Sequence, residues 1–452
     1  MQTPRKNKHP GSGRGCLPWL KAVLAAAALG VGGSALAVNP TPPPTTPGDQ
    51  TKLPIIFVHG AAGSGAQYLT QAMRFASNGY PAERIVAFEY EGTSPHSAAD
   101  LDRFVDEVRS RFQVDKVHLV AHSMGTSVGS TLLGGYLTSS SRAAKVAKYI
   151  GIDGFTSTSC PGRVDCMGIF VTSGRRLGSK NVYFTNQSHV EVVTSAESFV
   201  EQYKFLTGSA PTTTAIAPMA NTVAVSGRAV YFPANQGAAG ARVKVWQIDA
   251  ATGHRLGSTP VAEFAVGANG NWGPAQLNPQ ARYEMEVSGA GTRTYHYYFQ
   301  PFVRDTSLVR LLLSPADSEF VRNTNTSDNH STLVITRYKE WWSGRITGND
   351  VLEIGGRNII TRDVGDANIA IHVHDDTATP GQTTLNPLRY FNSQPFQAGV
   401  DVFLPAANPP TGTISLVSYP RGDRQRPQVI NVPNWASSTH AIQVTFNDWV
   451  GN

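Results

Sequence analysis

Ala121-His122-Ser123-Met124-Gly125 lies between an apolar run and a helical pattern. This is the G-x-S-x-G elbow with alanine in the first position. A serine on a strained strand-to-helix turn projects its hydroxyl at the carboxyl end of the strand, and the flanking residues must be small for the backbones to pass. The same turn aims the Met124 N–H at that spot. A serine hydroxyl is a weak nucleophile until a neutral imidazole takes its proton. With such an elbow the chain order is serine, acid, histidine, and His189 is the one histidine after Ser123 before residue 208. It sits in a polar stretch, NQSHVE, and reads as the base by position and by elimination. Two carboxylates could orient it. Asp153 directly follows the run AKYIGID, and Asp165 lies between two cysteines. Asp153 is preferred, because a strand end holds a group more rigidly than a loop does, with Asp165 as the alternative acid. A second donor to a developing oxyanion is expected from LPIIFVHGAAGSG, where Ala61 follows His59-Gly60 and its N–H would join that of Met124. That stretch lacks the G-K-[ST] ending of a phosphate-binding loop.

These groups need a frame. Residues 52–208 alternate short apolar runs with helical periodicity. LPIIFVHG, AERIVAFEY, DKVHLVAHS, AKYIGID, MGIFVTS and KNVYFTN read as six strands. They are apolar throughout, which fits a parallel sheet covered on both faces. Leu101, Phe104, Val105, Val108 and Phe112 recur at helical spacing behind Ser97, read as an N-cap. A second helix is expected from Met124 to about Leu137. A third opens at Thr194, with Glu197 in capping-box position.

After a linker at 209–221 the pattern changes. Short Val, Ile, Tyr, Phe and Trp runs such as ARVKVWQID, TLVITRYKEWW and AIQVTFNDWV are broken by turn residues. This is an all-β sandwich or barrel region, read as one unit over 222–300 and a second over 301–452. The fold class is therefore an α/β hydrolase, a mostly parallel sheet with flanking helices, followed by an all-β C-terminal region. So short a catalytic region leaves little sequence for a large lid.

Residues 1–37 carry five of the 38 Lys and Arg and none of the 32 Asp and Glu. A charged start, a short apolar run and Ala35-Leu36-Ala37 read as a secretory signal peptide cleaved near Ala37. A Pro/Thr-rich tether follows over 38–51. The formal net charge of +6 is then mostly the leader's, and the remainder is near +1. The charged fraction is 15%, below the roughly 25% usual for soluble domains. No basic cluster marks a nucleic-acid partner. Cys16 leaves with the leader. Cys160 and Cys166 are then an even pair in an oxidising compartment and are expected to form a disulfide.

Three further features read as structural. His372-x-His374 puts two imidazoles on one strand face, but no third ligand is evident, so it reads as a solvated strand edge. Arg421-Gly422-Asp423 reads as a turn. Tyr295, Tyr297, Tyr298, Phe299, Phe302, Trp341 and Trp342 read as sandwich core.

The stretches AHSMGT, IDGFTS, NVYFTNQSHVEVVTSAESF, YHYYFQPFVRD, VITRYKE and FNDWV resemble secreted bacterial and archaeal lipases and esterases that join a compact α/β-hydrolase domain to a C-terminal β domain. The likeness is strongest to an archaeal triacylglycerol lipase family of that layout. It implies a triad of Ser123, Asp153 and His189 and a lipid or other water-insoluble ester as substrate. It also implies transient contact with a lipid interface and no need for a metal or organic cofactor. An extracellular polyester depolymerase or a carbohydrate esterase would suit the same layout. A surface or binding protein with an inactive hydrolase domain fits less well, because the Ser/acid/His set is complete and in order.

Overall fold

The computed structural model describes residues 51–91, 97–134, 141–291, 293–343, 348–364 and 366–450. The expected leader over 1–37, the tether apart from Thr51, Cys16 and Leu137 lie outside the described residues.

The six apolar runs form six strands: β1 Ile55–Val58, β2 Ile85–Phe88, β3 Val117–His122, β4 Val146–Ile152, β5 Asp165–Phe170 and β6 Lys180–Tyr183. They make one sheet in the order β2-β1-β3-β4-β5-β6, parallel at every pairing. Side chains alternate across a strand, and β1 shows the result. Ile56 and Val58 pack with Leu101, Phe104, Val105 and Val108 of helix α2, Ser97–Phe112. Ile55 and Phe57 face the other way, onto Phe75, Phe199 and Tyr203. Phe75 belongs to α1, Leu69–Ser77. Each large side chain so buried contributes about 1.5–3 kcal/mol, which is why unbroken apolar runs were needed here.

Ser97 is the first residue of α2 rather than its cap. Helix α3 covers Met124–Leu132. Two helices follow β6: α4, Glu191–Thr194, and α5, Ala196–Thr207. The expected start at Thr194 is thus displaced. Thr194 closes α4, and Ser195 is the cap of α5, its hydroxyl accepting from Ser198 N. At the other end Gly208, at φ 82°, terminates α5 in the left-handed conformation.

Beyond the linker the structure is β-rich. An eight-stranded sheet runs Ala262–Ala265, Arg242–Ile248, Arg282–Ser288, Thr294–Phe299, His440–Thr445, Leu333–Trp341, Asn368–His374, Gln397–Asp401. Two four-stranded sheets pack against it. The one built on Val223–Tyr231 shares a core of Val225, Val245, Trp272 and Met285 with the first half. The one built on Thr413–Tyr419 shares Ile335, Trp341, Leu352 and Val444 with the second. Position 300, expected as a boundary between two β units, is not a break in pairing. Thr306–Leu313 pairs with Val223–Tyr231, and Thr294–Phe299 pairs with His440–Thr445.

The aromatic residues at 295, 297, 298 and 341 are core. Arg421 and Gly422 lie in a short 3-10 turn begun by Pro420. His372 and His374 are buried, in a strand flanked on both sides, and so are not a solvated edge. His372 Nε2 donates to Gln397 Oε1 at 2.9 Å and its ring stacks on Phe391. Among the described residues there is no group of three or more His, Cys, Asp or Glu that could hold a metal ion.

Candidate active site

Every group singled out for chemistry, Asp165 excepted, is on a segment leaving the carboxyl edge of the parallel sheet. Ser123 stands between β3 and α3 at φ 51°, ψ −124°, a conformation that costs a non-glycine residue of order 1–3 kcal/mol. The surroundings over-determine it. Its N–H donates to Ile152 O at 2.9 Å, and its carbonyl accepts from Thr126 Oγ1 at 2.5 Å. A Cβ on Gly125 would lie 2.4 Å from His59 O and 2.6 Å from Val58 O. The last glycine of the motif is thus required because α3 begins against the end of β1. A Cβ on Gly60 would come within 2.9 Å of Ser123 Cβ, so the loop after β1 passes directly over Ser123. Ala61 follows in that loop. Met124 is the first residue of α3, where an N–H has no intrahelical acceptor.

Asp153 also has positive φ, 40°, at the end of β4. Its N–H donates to Ile169 O at 2.7 Å, Oδ1 accepts from Val171 N at 3.3 Å, and Oδ2 accepts from His189 Nδ1 at 2.5 Å. The carboxyl is 5% exposed. Burial pushes it up, but the His189 hydrogen bond and charge, with the Val171 N–H and Arg175, outweigh this and hold it below the usual carboxylate range. The His189 side chain is 31% exposed. The structure therefore brings Asp153 and His189 together. It places Ser123 on the same edge without a bond to the imidazole, since Ser123 Oγ has no hydrogen-bond partner among the described residues. Asp165 is elsewhere. It opens β5 at the amino edge, and its exposed carboxylate pairs with Lys180 Nζ at 2.7 Å. The cysteines on either side of it are joined in a disulfide, and Cys166 packs under Leu177.

His122, within the elbow motif, has a position that sequence reasoning missed. Its Nδ1 accepts from Gln67 Nε2 at 2.8 Å and its Nε2 donates to His189 O at 2.9 Å. Burial, and then the neighbouring His189, push it well below its ordinary value, so it is a neutral strut under His189. Asn235 was also missed. From the β region its Nδ2 donates to Gly63 O at 2.9 Å and His59 Nε2 at 3.3 Å, tying down the loop that holds Ala61. Beside it, Glu89 Oε1 accepts from Gly65 N at 2.9 Å and from Arg310 Nε at 2.6 Å. A third, Phe396, stacks its ring near that of His189, centroids 6.3 Å apart. No local pattern announces a contact between a β-region loop and a histidine some 200 residues earlier.

A six-stranded parallel sheet with helices on both faces and a serine elbow at its carboxyl edge is the α/β-hydrolase fold. Residues 52–163 match the class 2 lipase family, residues 221–316 match the lipase C-terminal domain, and residues 319–450 match a further C-terminal domain family. Parts of the chain thus match a class 2 lipase family model and a lipase C-terminal domain model, one after the other. Solved structures similar to it include Aspergillus fumigatus lipase B, at 13% identity over 39% of this chain and 57% of that one, TM-score 0.30. A Listeria innocua gene product matches at 12% over 36% of this chain and 97% of that one, TM-score 0.28. Mature Bacillus licheniformis lipase matches at 23% over 27% and 47%, TM-score 0.22. The chain spans a little over half the length of the Aspergillus lipase and under half that of the Bacillus one.

Proposed function

We propose that this chain is a secreted serine ester hydrolase that cleaves lipid-like, water-insoluble esters through an acyl-enzyme on Ser123. The observation that carries the reading is the Asp153–His189 bond at the sheet edge where the strained Ser123 turn projects. With Nδ1 held by Asp153, the imidazole is left with Nε2 to accept the serine proton. Ser123 Oγ attacks the ester carbonyl and its proton passes to His189. The carbonyl oxygen becomes an oxyanion, met by the Ala61 and Met124 N–H groups. Collapse expels the alcohol, which takes the proton back from His189. Water, deprotonated by the same imidazole, then attacks the acyl carbon and releases the acid and Ser123. The class 2 lipase domain supports a lipid-like substrate. The leader-like residues 1–37 and the Cys160–Cys166 disulfide support export. Among the described residues no helix is long and apolar enough to cross a membrane.

The test is Ser123→Ala in the full chain, assayed on p-nitrophenyl esters of graded chain length and on emulsified triglyceride, alongside labelling by a fluorophosphonate. The expected outcome is loss of both hydrolysis and labelling, on the order of 10⁶-fold in kcat for the former. Retained turnover would rule out the serine mechanism. Turnover of a polyester film in preference to triglyceride would move the substrate to polymers.

A further inference from the structure

The segment that carries His189 is short and polar and is fixed in part by itself: Glu191 Oε2 accepts from Ser188 N and Oγ at 3.3 Å, and Ser188 O accepts from Val192 N at 3.1 Å. A second carboxylate comes from the β region. Glu340 is 1% exposed. Its Oε1 accepts from Val190 N at 2.7 Å, and its Oε2 accepts from Glu191 N at 3.0 Å and from Ser188 Oγ at 2.5 Å. The three donors belong to the residues on both sides of His189. The carbonyl of His189 itself is taken by His122. With these bonds the chain around His189 has a partner before it, through the Ser188 hydroxyl, and at and after it, through the backbone of residues 189 to 191.

Glu340 is delivered by an irregularity. The strand Leu333–Trp341 pairs regularly with Asn368–His374 through Thr336, and then the register shifts before Trp341. Arg337 holds the intervening bulge. Its guanidinium donates to Lys339 O and Glu340 O and makes a paired contact with Asp350 at 3.0 and 2.8 Å, buried at both ends. Bulges re-aim side chains, and this one turns Glu340 out of the ladder toward the base segment. The neighbouring Glu191 is neutralised by Lys339 at 2.7 Å and Arg421 at 3.0 Å, so two carboxylates are tolerated side by side.

Resting on the serine-hydrolase reading above, we infer that Glu340 is the positioning residue of the base: the β region supplies the ledge on which the His189 segment is registered against Asp153 and Ser123. Glu340 touches no reacting atom and acts only through Ser188, Val190 and Glu191. Its effect therefore falls on the chemical step. An offset of 1 Å in a catalytic group costs about 10²-fold.

Glu340→Gln replaces one acceptor oxygen with an amide that faces a donor, so the grip is broken while the volume is kept. In the full chain, with p-nitrophenyl butyrate as substrate, kcat per folded molecule is expected to fall about 10²-fold with KM within about threefold of the parent. Glu340→Asp, which keeps both oxygens, is expected to recover part of the loss. A purely structural role would lower the thermal midpoint and leave kcat per folded molecule unchanged, and that result overturns the inference. If Glu340→Gln does not fold, Ser188→Ala removes one donor alone. It should lower kcat severalfold, and an unchanged kcat again overturns the inference. Ser123→Ala is run in parallel. If it is inactive while Glu340→Gln turns over like the parent, the ledge is refuted and the serine mechanism stands. If Ser123→Ala is active, the reading beneath the inference falls first.

Discussion

The loop after β1 and the segment after β6 approach Ser123 from two sides, and the β region grips both, but by opposite poles of the backbone. The loop over Ser123 is held through its carbonyls. Gly60 O accepts from His59 Nδ1 at 2.8 Å, His59 O from Tyr90 OH at 2.8 Å, and Gly63 O from Asn235. Only Gly65 spends an N–H on a side chain, that of Glu89. The base segment is held through its N–H groups, at 188, 190 and 191, by the carboxylates of Glu191 and Glu340. The difference fits the mechanism proposed above. On it, a loop that stabilises an oxyanion must keep donors free, so anchors on acceptors suit it. A segment whose side chain becomes a cation gains from nearby anions, so carboxylate anchors suit it.

The sharpest way to break the contrast is at the acid. Asp153→Asn removes the anion that holds the imidazole, and kcat is expected to fall on the order of 10⁴-fold. Asp165→Asn, on the far edge of the sheet, should leave kcat within about twofold, since surface pairs of this kind are worth little. The reverse order of losses in single-turnover assays would exchange the two roles. Next comes the carbonyl grip. Removing an oxyanion donor outright costs about 10²–10³-fold. Asn235→Ala only frees the loop that carries one, so a loss nearer tenfold in kcat is expected. Tighter binding of a boronic-acid analogue by the variant would contradict that account.

The support under Glu340 is read in stability rather than in kcat. Burial would raise the Asp350 carboxyl, but Arg337 and Arg421 outweigh it and hold it at about 2. A depressed carboxyl stabilises the fold above its unfolded value, about 3.9, and that contribution is lost as pH falls through the folded value. Asp350→Asn should cost about 3–5 kcal/mol at pH 7, because it leaves Arg337 buried without its partner. The gap between variant and parent in urea midpoint should narrow between about pH 4 and pH 2. A gap that stays constant across that range would show that the pair is not what is lost.

What the sequence made legible follows from the range of each interaction. β1 to β5 could be read because a strand covered on both faces is apolar along most of its length, while the edge strand β6, KNVY, is only partly buried. Chain order and strand ends singled out Ser123, Asp153 and His189, and of these the structure joins Asp153 to His189. Glu340, Asn235 and Phe396 could not. Glu340 meets Val190 across 150 positions and Asn235 meets Gly63 across 172, and nothing within a turn's reach of either residue encodes that meeting. The start of α5 was misplaced for a local reason. Both Thr194 and Ser195 can cap, and only the closure of α4 decides between them. His372 and His374 were mistaken for an edge because a period of two shows which residues share a face, not how many strands lie beside them.

The strand Leu333–Trp341 lies between partners made at very different times. His440–Thr445 pairs with it from Leu333 to Thr336 and fills the centre of the eight-stranded sheet. Synthesis proceeds from the amino end at about 5–20 residues per second. A nascent chain therefore carries Ser123, Asp153 and His189 for many seconds before residues 440–445 leave the ribosome. Through that interval the sheet that presents Glu340 and its bulge lacks a central strand. Chains cut short before residue 340 by a stalled ribosome or a nonsense codon keep Ser123, Asp153 and His189 but lack Glu340.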